Sequence, residues 1–101
     1  MTDVVVDFDS ALSAGLTDAH RTAAEVHVLR ARAEGLRGPR SGSRALVLAM
    51  RAGELERHLL ESVGLDRGAE LLREMFEHPV TVAAIERWQY AQELAHRLIF
   101  D

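Results

Sequence analysis

Five histidines, sixteen acids and twelve arginines are the groups in this chain that could ligate a metal, move a proton or hold an anion. Glu93 and His96 form a Glu-x-x-His pair, the spacing that di-iron carboxylate bundles use to present two ligands from one helix. Glu54 with His58, and Glu25 with His27, would be its companions. A helical wheel argues against a shared site. At 100° per residue, Glu93 lies about 160° and His96 about 100° from the mean apolar direction of their helix. Glu54 falls opposite the Leu48, Leu55 and Leu59 stripe, and Glu25 faces away from the Leu16, Ala23 and Val26 seam. Ligands that point apart cannot converge on one ion, so the sequence predicts neither a metal centre nor a cofactor. Solvated faces with helical pairs such as Arg57–Glu61 and Glu70–Arg73 are the simpler reading.

Nucleophilic chemistry has less support still. The serines at 10, 13, 41, 43 and 62 read as caps, loop residues or helix-face residues, and no Gly-x-Ser-x-Gly elbow is present. The Gly38 to Gly42 stretch lacks the spacing and the preceding strand of a phosphate loop. With no cysteine there is no thiolate and no disulfide framework. The expectation is a protein that is not an enzyme.

Charge is the strong asymmetry. Arg30, Arg32, Arg37, Arg40 and Arg44 stand against the single acid Glu34, a local excess of +4 in a chain whose formal net charge is −4. The cluster surrounds the break Arg37-Gly38-Pro39-Arg40-Ser41-Gly42-Ser43-Arg44 and marks a contact point for an anionic partner. Arginine binds carboxylate or phosphate through a planar fork. Nucleic acid is the alternative partner, and the run from Leu71 to Trp88 has the outline of a helix-turn-helix. A proline at the would-be turn, an acidic would-be recognition helix and a pI near 5.7 favour a carboxylate surface instead.

Lysine and asparagine are absent while alanine and arginine abound, which fits a GC-rich bacterial or phage genome. No apolar run is long enough to span a bilayer, and Met1 to Asp7 lacks a signal-peptide plan, so a cytoplasmic location is expected. At 101 residues one domain is possible and two are not.

The elements that position these groups are helices. Residues 1–8 read as an N-terminal arm, with Val4, Val6 and Phe8 alternating as in a short strand, and residues 9–101 as a single all-α domain. A long first helix runs from Asp9 or Ser10, or else from Thr17, to Leu36, striped by Leu12, Leu16, Ala19, Ala23, Val26, Leu29, Ala33 and Leu36. A second starts at the Ser43 cap and ends at Gly64, with Leu48, Ala52, Leu55, Leu59 and Val63 on its face. Leu46, Val47 and Met50 fall off that face, so its start is apolar nearly all round. A short third helix follows Asp66 and carries Leu72, Met75 and Phe76. His78-Pro79 stops it, and a fourth runs to Phe100 with Ala84, Ile85, Trp88, Ala91, Ala95, Leu98 and Ile99 on one side.

These elements predict a bundle of about four helices whose core a dimer would complete. Trp88 belongs to that core. Tyr90, about 140° from the stripe, is exposed, and with Val28, Val47 and Met50 it is a candidate for partner contact. His20 and His27, seven apart beside the first seam, would make self-association sensitive to pH if they lined the interface. The functional expectation is a small protein–protein interaction module, an adaptor, regulator or assembly component. It would associate with itself, as a homodimer, or with a protein partner. Its contact residues would be Arg37, Arg40, Arg44, Val47, Met50 and Tyr90.

Overall fold

A computed structural model describes residues 6–36 and 41–100. Among them the chain is helical almost throughout and contains no strand: α1 (Phe8–Ser13), α2 (Asp18–Gly35), α3 (Ser41–Val63), α4 (Leu65–Phe76) and α5 (Pro79–Phe100). The alternation of Val6 and Phe8 therefore does not build a strand. Val6 is buried in the core and Phe8 opens α1, with the Arg21 guanidinium 5.1 Å above its ring. Met1 to Val5 lie outside the described residues.

Of the two starts that the sequence allows for the first long helix, the structure takes the later one. Gly15 adopts φ 73°, a left-handed turn that breaks the chain after α1. Thr17 then caps α2: its hydroxyl accepts the His20 amide, and its own amide donates back to His20 Nδ1. This is a capping box with histidine in the place usually held by glutamate or glutamine.

The centre of the fold is α2, against which α3, α4 and α5 all pack. Ala23, Ala24, Val26, Val28 and Leu29 are all buried, so the helix is enclosed on several sides rather than along one seam. Val28 is therefore core, not a partner contact. α3 turns back along α2, held by the Arg30–Glu56 ion pair and by burial of Ala52 and Leu59. Gly64, at φ 93°, separates α3 from α4 in a conformation that side chains rarely adopt. α4 inserts Leu71 and Met75 into the core.

His78 Nδ1 accepts the Val80 amide, and Pro79 opens α5 without a hydrogen bond to lose. Thr81 and Ala84 are buried, and the Trp88 ring lies 2.8 Å from where a Cβ on Gly35 would sit. So α5 is level with the last residue of α2 at Trp88. No helix among the described residues is long and apolar enough to cross a membrane.

Candidate interaction surface

The candidate ligands of the sequence lie apart. Glu54 and His58 are exposed on α3 and Glu93 is exposed on α5, and no three acids or histidines gather into a possible ion site among the described residues. Glu25 departs from the wheel's expectation: it is half-buried between α2 and α3, paired with Arg21 at 3.7 Å. Burial raises its carboxyl above the ordinary value, against the opposing pull of Arg21 and Arg51.

The two histidines beside the first seam serve internal packing. His27 Nε2–H donates to the Leu72 carbonyl at 2.6 Å, and its ring meets Phe76 edge-on at 5.3 Å. His20 accepts the Thr17 hydroxyl on Nδ1 at 2.7 Å while its Nε2 lies 3.7 Å from Glu74. Both tie α2 to α4, inside one chain.

Folding also leaves large apolar side chains outside. Leu46, Val47 and Met50 on α3 are all more than half exposed. Beside them, Ser43, Arg44, Val47 and Leu48 line a shallow, mostly apolar cleft of about 300 Å³. Arg44 is exposed at its rim, which places one basic group next to the apolar face; Arg37 and Arg40 lie outside the described residues. On α5 every residue from Gln89 to Ile99 is exposed, including Leu94, Leu98 (79 %) and Ile99 (74 %). Tyr90 is exposed as expected, at 66 %.

Comparison with family models, curated proteins and solved structures finds no match to this chain.

Two apolar surfaces therefore stand open, at the start of α3 and along the distal half of α5. The predicted α5 face splits at Trp88. Upstream it has α2 to pack on; downstream α2 has ended, and the eleven residues from Gln89 to Ile99, some 16 Å of helix, are exposed. Sequence reasoning placed Ala91, Ala95, Leu98 and Ile99 on the core side of α5 but could not show that the covering helix stops first.

Proposed function

We propose that this chain is a small helical protein–protein interaction module, an adaptor, regulator or assembly component that associates with itself and performs no catalysis. The observation that carries this reading is the set of large apolar side chains left outside on the two longest helices. Scattered apolar exposure is ordinary, but here it lies in continuous stretches of helix, the form that marks interaction sites. The surface of 7082 Å² exceeds by roughly 1,400 Å² the ~5,700 Å² that size scaling gives for a compact monomer of this mass. The radius of gyration, 14.3 Å, likewise exceeds the ~12.7 Å of a compact domain of this length. A standard interface covers about 800 Å² per partner, so one such contact would remove much of the surplus.

Arg44 beside Val47 gives the α3 surface a basic rim, suited to an acidic protein partner. Hydrogen exchange as a function of concentration tests the reading. The expected result is slowed exchange over residues 89–99 of α5, or over residues 44–50 of α3, as concentration rises through the micromolar range. Exchange independent of concentration in both segments would refute self-association.

A further inference from the structure

We infer that the distal half of α5 is a homodimer seam, on which the same segment of a second copy lies antiparallel across a two-fold axis near Glu93. This deepens the self-association proposed above and rests on it. Thr81, Ala84, Trp88, Ala91, Ala95 and Leu98 follow one another at spacings of three, four, three, four and three. That is the heptad seam of a helix packed along its whole length. Its first half is used inside the monomer: Thr81 and Ala84 are buried and Trp88 is half-buried against Gly35. Its second half, Ala91, Ala95 and Leu98, is exposed. The open seam thus continues a packed one, in line and in register.

The positions that flank the seam show what it needs. On one side they are Ile85, Gln92 and Ile99, on the other Val80, Arg87 and Leu94, so Arg87 is the one charge among them. Flanks meant for water normally carry glutamate, lysine or arginine; these are suited to cover. The remaining face carries Glu86, Gln89, Tyr90, Glu93 and Arg97, which puts Tyr90 outside the seam.

A second copy fits because the seam is complementary to itself when reversed. About an axis near Glu93, Trp88 meets the partner's Leu98 and Ala91 meets the partner's Ala95. Two large layers then enclose two small ones, and the alanines let the helices approach closely. Leu94 meets the partner's Leu94. Gln92 meets the partner's Gln92, and each amide can both donate and accept. No like charges oppose each other in this register. An isologous contact of this kind closes on itself and stops at the dimer.

The test uses the full chain, which has no native cysteine. Gln92→Cys and Leu98→Cys are each treated with a short bismaleimide, and Leu98→Asp is weighed by sedimentation. Leu98 is 79 % exposed, so Leu98→Asp keeps the helical circular-dichroism spectrum of the fold. Expected are cross-linked dimers for Gln92→Cys, none for Leu98→Cys, and a dimer dissociation constant for Leu98→Asp raised by about a hundredfold or more. Leu98 and its symmetry mate would stand about 15 Å apart along the axis, beyond the reagent's reach. Cross-linking of Leu98→Cys alone would overturn the antiparallel arrangement. A wild-type dimer that Leu98→Asp leaves intact, with no Gln92→Cys product, would overturn the seam while self-association stands, and would move the interface to α3 or another surface. A monomeric wild-type chain would refute both.

Discussion

His27→Ala is expected to loosen α4 from α2 by an amount that can be worked from two contacts. The imidazole donates a 2.6 Å hydrogen bond to the Leu72 carbonyl, a neutral bond whose net value is about 0.5–1.5 kcal/mol. Its edge-on contact with Phe76, at 5.3 Å and 74°, adds about 0.5–1.5 kcal/mol. Phe76 is 62 % exposed, so the lower part of the second range applies. The sum is about 2 kcal/mol, or roughly 8–16 °C in melting temperature for a domain near 100 residues. Urea unfolding followed by circular dichroism measures it, with Leu98→Asp as the background so that self-association does not enter the midpoint. A cycle with Phe76→Ala is expected to give a coupling of about 0.5–1 kcal/mol. A loss below about 0.5 kcal/mol, the size of an ordinary surface change, would show that α4 docks through Leu71 and Met75 alone and that His27 is a bystander.

Three further changes test single features of the fold by the same unfolding assay. Thr81 is fully buried and its hydroxyl has no hydrogen-bond partner, so Thr81→Val is expected to stabilise by about 1 kcal/mol; a loss would mean that the hydroxyl is satisfied. Gly64→Ala forces a side chain into φ 93° and is expected to cost about 1–3 kcal/mol, and a neutral result would argue against that turn. For Glu25, burial raises the carboxyl in the folded state above its unfolded value, so the protonated form favours the fold. Its stabilising contribution is present below the unfolded value near 4.5 and is lost as pH rises through the folded one. Glu25→Gln should therefore be more stable than wild type at neutral pH, with the gap closing on acidification; a gap that widens in acid would reverse the sign of the argument.

How much of this was legible in the sequence differs from helix to helix. The ends of the elements were written in local chemistry: threonine before α2, Gly64 between α3 and α4, and His78-Pro79 before α5 each act within a few residues, and pattern reading finds them to within a turn. The α3 stripe was also legible, because α3 presents one face to α2 and leaves the other open. The packing of α2 was not. A helix packed by three others has little solvent face to define a seam, so Val28 and Glu25 were assigned outward, although the structure buries the first and half-buries the second. The uncovered end of α5 was hidden for a different reason. Its stripe is uniform, and only the position of Gly35 beside Trp88 shows where intramolecular cover stops.

The arginine break kept a narrower role. Among its arginines nearest the turn, Arg44 is the one that the described residues place, exposed beside Val47 at the start of α3, while Arg30 is committed to Glu56. The contact proposed on α5 has one charge, Arg87, on its flanks and so would owe little to electrostatics.

Sedimentation equilibrium of the wild-type chain across the micromolar range tests the central claim most directly. The expected result is a mass that rises with concentration from 11.2 kDa towards twice that value and no further, as a closed two-fold contact requires. A mass of 11.2 kDa at every concentration would contradict it.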